Sequence, residues 1–256
     1  MSKKRILYIS QEITPYLPET EISKMGRYLP QSIQEKGREI RTFMPKFGCI
    51  NERRNQLHEV IRLSGMNLII DDNDHPLIIK VASIQPARMQ VYFIDNEDYF
   101  QRKAILTDKE GNFFEDNDER AIFFCRGVLE TVKKLGWAPD LIHFHGWMTS
   151  LIPLYLKPSY KNEPLFEKSK VVTSLYNDCF AGSLDQTFAK KAMMDGVDGS
   201  FELESKEVGK YGRVLGMLHI DKLDGKAVIA KVCVNDCLVK EGYAVEYDGG
   251  KREKIV

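Results

Sequence analysis

An α/β fold follows from two features of the sequence: short apolar runs of the buried parallel-strand kind alternate with segments of helical period, and the alternation stops near residue 200. The expectation is one Rossmann-like parallel-sheet domain over residues 1–200, followed by a small β-rich appendage over 201–256, with the boundary near 199–205. At 256 residues, 43% hydrophobic and 29% charged, the chain is long enough for one full core and a small second one.

The elements follow in order. Arg5–Ser10 is an apolar run read as a strand, and Ile22, Met25, Leu29 and Ile33 then recur at helical spacing until Gly37 stops the helix. Residues 39–44 resume a strand pattern before Pro45, so the opening predicts a right-handed β-α-β unit. Residues 57–94 change to short β-rich runs, 77–81 and 89–94, with the polar turn Asp71-Asp72-Asn73-Asp74 among them, which predicts a hairpin insertion. Asp116 and Glu119 have capping-box spacing ahead of a helix that carries Ile122, Cys125, Leu129, Val132 and Leu135 on one face and closes at Gly136. Residues 140–143 and 170–173 are two further runs of the buried parallel-strand kind, joined by a helical stretch over 147–156. Past Gly199 come closely spaced β runs at 214–220 and 227–232, then a short helix pattern over 234–240 before Gly242.

Charge and cysteine usage exclude several classes. The 37 Lys and Arg balance 37 Asp and Glu, so nothing draws the chain generally to nucleic acid or anionic lipid. The apolar run after Lys3, Lys4 and Arg5 ends at Gln11, too short for a signal segment, and no stretch reaches membrane-spanning length. Five scattered cysteines suit a reducing cytoplasm. Cys233 and Cys237 have the spacing of one helical face, but no nearby Cys or His completes a zinc shell, so they read as packed thiols and no metal is expected.

In an open parallel sheet, ligands bind beyond the carboxyl ends of the strands. Three segments meet there in this reading: 10–22, His143-Phe144-His145-Gly146-Trp147, and Tyr176-Asn177-Asp178. His143 and His145 stand two apart at a strand end, on one side of an extended backbone, where imidazoles can hydrogen-bond hydroxyls or a phosphate. A plain hydrogen-bonding role for such histidines is the competing reading, and Trp147 reads as packing.

The run Ile6-Leu7-Tyr8-Ile9-Ser10-Gln11-Glu12-Ile13-Thr14-Pro15, then Leu29-Pro30 and Gly37-Arg38-Glu39-Ile40-Arg41, resembles the opening of bacterial glycogen and starch synthases. The residues at 94–100, Asp116-Asn117 with Arg120, 139–147 and 153–156 follow in that family's order. The resemblance implies the N-terminal half of a GT-B glycosyltransferase of the ADP-glucose-dependent α-glucan lineage. ADP-glucose is then the sugar donor with no further cofactor, an α-glucan or sugar nucleotide is the partner, and His145, His143, Asn177 and Asp116 are the substrate-binding candidates.

The sequence departs from the family at two places. Its Lys-x-Gly-Gly-Leu loop falls in register on Pro18, Thr20-Glu21 and Ile22, so a cation and two glycines give way to a stretch with acidic Glu19 and Glu21, where phosphate is repelled. In the family's His-x-His-Asp-Trp segment the Asp becomes Gly146, and a later His-Asn pair becomes Tyr176-Asn177. The second Rossmann half, which in the family holds ADP, has no room here. The expectation is therefore a domain not self-sufficient in catalysis that needs a separate second half, or else a non-catalytic sugar- or glucan-binding module. In the tail, residues 209–216 and 234–245 resemble the C-terminal part of staphylococcal-nuclease-like domains, with Arg213 matching a phosphate-contacting arginine. Nothing in 150–205 resembles the metal-binding strands of that family, so Arg213 reads more simply as a turn cation.

Overall fold

In a computed structural model of the chain, the described residues are 3–157, 159–160, 162–176, 184 and 187–192, with the backbone of 201–208, 214–224 and 227–233. The chain forms two compact units, Met1–Val197 and Asp198–Val256.

The first unit is built on an eight-stranded sheet with four parallel pairings at its centre. Strand β1 (Arg5–Ser10) lies between β2 (Glu39–Pro45) and β7 (Leu141–His145), and β8 (Lys170–Ser174) follows β7 at one edge. On the other side β6 (Met89–Asp95) runs parallel to β2, and β5 (Asn73–Ile84) pairs antiparallel with β6. Two short strands, β3 (His58–Glu59) and β4 (Met66–Ile70), pair antiparallel with β5. The 57–94 stretch is therefore more than a hairpin insertion. Its last strand belongs to the central sheet because Val91, Phe93 and Ile94 are fully buried beside β2. The Asp71-Asp72 turn does form the tip of the β4–β5 hairpin, with both residues at positive φ (47° and 64°) as a two-residue hairpin turn requires.

Helix α1 (Glu21–Glu35) starts with a capping box that the residue pattern did not announce: Thr20 Oγ1 accepts from Ser23 N at 3.0 Å while Ser23 Oγ accepts from Thr20 N at 2.8 Å. Gly26 lets this helix close on the loop ahead of it, since a Cβ there would lie 2.4 Å from Glu12 O. Helix α2 (Glu97–Phe100) is one turn long and capped by Asn96. Helix α3 (Asn117–Lys134) buries Ile122, Phe123, Phe124, Cys125, Val128, Leu129 and Val132 against the sheet.

The capping box expected at α3 does not form. Asp116 makes no side-chain cap bond and instead pairs with Arg102, while the Glu119 carboxylate is taken by the Tyr99 hydroxyl and Lys191. The helical stretch after β7 is also broken. A 3₁₀ turn over Trp147–Thr149 follows Gly146 at φ +82°, and α4 (Ile152–Leu156) begins only at the residue before Pro153. Trp147 packs partly buried against the core, its ring 5.7 Å from that of Phe113. Strand β8 pairs parallel with β7 as expected but is not buried: Val171 and Val172 are 44% and 42% exposed at the sheet edge. A last helix, α5 (Phe188–Ala192), docks on α3 through Lys191.

In the second unit, β9 (Phe201–Val208), β10 (Val214–Asp224) and β11 (Ala227–Cys233) form an antiparallel sheet in the order β11-β10-β9. β9 was not among the expected runs, although Phe201-Glu202-Leu203-Glu204 alternates apolar and polar residues. Cys233 ends β11, and Cys237, the helix expected over 234–240 and Arg213 lie outside the described residues.

Candidate functional site

Sheet order turns at β1, from which the chain leads one way through β2 to β6 and the other way through β7 to β8. The carboxyl ends of β1 and β7 thus form a topological switch point, where a parallel sheet opens a crevice. Here the two strands are stitched past their last pair, Ser10 and His145, by Gln11 N donating to His145 O at 3.1 Å.

His143 and His145 come together as expected, their ring centroids 4.1 Å apart. Tyr8, opposite His143 on β1, lies against both rings at 5.4 and 4.5 Å and donates its hydroxyl to Met25 O on α1. Burial of this aromatic group keeps it uncharged. The Tyr8 hydroxyl is pushed well above its ordinary value, His143 is lowered by burial, and His145 is lowered to about 3 by burial and then by His143.

Both imidazoles are partnered from the end of β8 and the residues just past it. His143 Nε2 lies 2.9 Å from Ser174 Oγ, and His145 Nδ1 lies 2.8 Å from the Tyr176 hydroxyl. Burial and then nearby Glu21 raise the Tyr176 pKa against a hydrogen bond from Ser174, so this phenol stays protonated. His145 Nδ1 is taken up by the contact with the Tyr176 hydroxyl, and the ring nitrogen left over is Nε2. That atom is buried and has no hydrogen-bond partner among the described residues. Neutral rings in this state can offer hydrogen bonds to uncharged hydroxyls; they carry no charge for a phosphate.

Gly146 sits at φ +82°, ψ 157°, a region open only to glycine. A Cβ on it would meet Gln11 Cβ at 2.8 Å and Gln11 Oε1 at 2.9 Å. Gln11 fills the space beneath the turn and accepts from Met148 N at 3.2 Å. The place where the resemblance expects an aspartate is therefore occupied by a glutamine from another strand end. Gln11 lies in the 10–22 segment that the sequence placed at the site, with no role given to it, whereas Tyr8 was not marked; the alternation Tyr8, Ser10 along β1 was the available signal.

At the start of α1 the acidic loop is ordered by its own side chains. Thr20 Oγ1 donates to Glu12 Oε2 at 2.7 Å, and Glu19 pairs with Lys24 at 3.1 Å. The first-turn donors that would cradle an anion are thus partly used by Thr20, and Glu21 adds negative charge there. At the neighbouring strand ends the cations are also matched: Lys46 with Glu52 at 2.6 Å, and Lys80 with Glu52 and Asp95, each at 2.9 Å.

Of the remaining candidates, Asp116 lies at the start of α3 against Arg102 and makes no described contact with the histidines. Close by, buried Arg120 donates to Tyr99 O, Ile105 O and Asn117 Oδ1 at 2.6–2.8 Å, among the rings of Phe47, Phe100 and Phe114. These contacts make the segment around Asp116 a packing hub. Asn177 lies outside the described residues.

Comparison with known proteins agrees with this architecture. The family model for the starch synthase catalytic domain matches residues 5–231, which carries it through β10 and over 209–216, the first of the two segments read as nuclease-like. Glycogen synthase from Chlorobium luteolum is 37% identical over 205 residues, 80% of this chain and 42% of that protein. Glycogen synthase from Pelodictyon phaeoclathratiforme is 34% identical over 240 residues, 93% of this chain and 49% of that protein. The chain thus spans less than half the length of these curated relatives. The catalytic domain of starch synthase IV from Arabidopsis thaliana, solved bound to ADP and acarbose, superposes with a TM-score of 0.58 at 20% identity over 67% of this chain and 34% of that one, a likeness of fold. With the switch-point crevice and its paired histidines in place, these matches establish that the chain belongs to the starch synthase catalytic domain family, as a glycogen synthase-like N-terminal domain.

Proposed function

We propose that this domain recognises the sugar part of a glucosyl substrate or an α-glucan and does not transfer glucose by itself, taking part in transfer only together with a second glycogen synthase half. The observation that carries this reading is the pairing of an uncharged hydroxyl-binding group with an acidic α1 entrance: His143, His145, Ser174 and Tyr176 on one side, Glu12, Glu19 and Glu21 on the other. The relatives' name, glycogen synthase, and the ADP and acarbose bound to the Arabidopsis neighbour support a sugar nucleotide or glucan as the ligand class. The odd, scattered cysteines support a cytoplasmic setting.

A second reading, a non-catalytic glucan-binding or regulatory module, is favoured by one observation. His145 is fully buried, so its Nε2 reaches a ligand only if what covers it moves. Isothermal titration with ADP-glucose, ADP and maltooligosaccharides, with a glucosyl-transfer assay in the presence and absence of a second glycogen synthase half, separates the two. Maltooligosaccharide binding with transfer only on addition of the second half is the expected result. Transfer by the purified chain alone overturns the proposal, and binding with no transfer under either condition leaves the module.

A further inference from the structure

In the second unit the strand register lines up three residues of unlike chemistry. His219 on β10 is paired with Glu202 on β9 and with Cys233 on β11, so the three occupy one row across the sheet. We propose that this row binds one zinc-class divalent ion through a carboxylate, an imidazole and a thiolate. The row lies wholly within the second unit and is independent of the sugar reading given above.

The register is regular at this row. On the β9 side the pairing is continuous from Ile220 and Phe201 to Met217 and Glu204, and on the β11 side from His219 and Cys233 to Lys222 and Ala230. The irregularities fall outside it, at Leu215/Gly216 and Lys222/Leu223. Residues directly opposite in an antiparallel pair share a face, with Cβ atoms about 4.5–5.5 Å apart. Zinc, with bonds of about 2.0–2.3 Å to nitrogen, oxygen and sulfur, spans neighbours at that separation. The imidazole position is the middle one, within a single strand spacing of both other donors.

Alternation along the three strands gives the sheet two unlike faces. One carries Phe201, Leu203, Leu218, Ile220 and Val232, the composition of a face that builds a core. The other carries the Glu202-His219-Cys233 row, flanked by Glu204 with Met217 and by Asp221 with Lys231. Cysteine is among the residue types most often buried, so a thiol in register with an imidazole and a carboxylate on the polar face calls for a reason other than packing. Ligation is such a reason, because zinc takes these three donor types and keeps a fourth position for water or a ligand. Calcium and magnesium prefer all-oxygen sets. Asp221 stands opposite a lysine, a charge-complementary position, which leaves Glu202 as the carboxylate for the ion. The sequence alone joined Cys233 to Cys237 and found no histidine near them; strand pairing supplies His219 from the preceding strand.

The test is titration of the reduced full chain with Zn²⁺, and with Co²⁺ as a coloured substitute. We expect one equivalent bound with a dissociation constant on the order of 1 μM, a thiolate-to-cobalt charge-transfer band, and joint ¹⁵N-NMR shifts of the 202, 219 and 233 amides on adding zinc. Cys233→Ser, His219→Asn and Glu202→Gln should each weaken binding by more than the ~10–100-fold that loss of a mere supporting partner causes, whereas Cys237→Ser leaves it unchanged. Circular dichroism of each variant checks its fold, and the amide shifts of the unsubstituted chain decide the matter if a variant does not fold. No stoichiometric binding overturns the proposal. So does binding that survives any one of the three substitutions unaltered, or that is lost with Cys237→Ser, or whose amide shifts fall outside β9, β10 and β11.

Discussion

At the scale of single residues, His145 gives a pH dependence whose sign can be worked out. Its folded pKa is lowered to about 3, by burial first and by His143 second, against an ordinary value of 6.5 in the unfolded chain. Between those values the unfolded state binds the extra proton and the folded state does not. The stability is therefore complete above about pH 6.5 and falls as pH drops, by about 1.4 kcal/mol per unit, or about 2 kcal/mol between pH 7 and pH 5. Urea unfolding across that range should show the fall, and His145→Gln should flatten it whatever its effect on absolute stability; an unchanged slope would show that His145 titrates normally. The sequence revealed that His143 and His145 share a side, because an alternating strand guarantees it. It also placed the Tyr176 segment in the same crevice, but it did not reveal Ser174 or which ring nitrogen each partner meets, because those contacts depend on the β7–β8 register, a pairing of residues about thirty positions apart.

At the scale of elements, what was readable was local and what was missed was cross-chain. The period of α3 and its stop at Gly136 can be seen in a window of twenty residues, whereas the fate of Asp116 and Glu119 cannot. Their carboxylates go to Arg102, Tyr99 and Lys191, which outcompete the cap. In the same way the β6 pattern looked like hairpin until its parallel partner β2 was known. The turn after β7 shows the same coupling. Gly146→Asp, the change that would restore the family's motif, places a side chain in a glycine-only conformation and drives its Cβ into Gln11. The backbone cost alone is about 1–3 kcal/mol. We expect Gly146→Asp to destabilise the domain by more than that, and Gln11→Gly to be less harmful in its presence than in its absence, since it removes the steric part. A double-mutant cycle by chemical denaturation measures that coupling, and additive effects would mean that the two positions do not compete for the same space.

At the scale of the molecule, the described buried core of the first unit runs from Ile6 to Ala192. The closing contribution is made by α5. Lys191 lies 3.2 Å from the fully buried Asp118 and 2.8 Å from Glu119, and Tyr155 donates to Ala192 O at 3.1 Å. Burial opposes the Lys191 charge, but the two carboxylates outweigh it and raise its pKa, so Lys191 stays charged through neutral pH. Two truncations follow from this. A chain ending at Val197 should unfold in one cooperative transition with the same near-UV circular dichroism as the first unit of the full chain. One ending at residue 186 leaves Asp118 buried without its cation, at a cost of about 3–5 kcal/mol. The denaturant midpoints of the two truncated chains measure that difference, and equal midpoints would show that α5 merely rests on α3 and adds nothing to its stability.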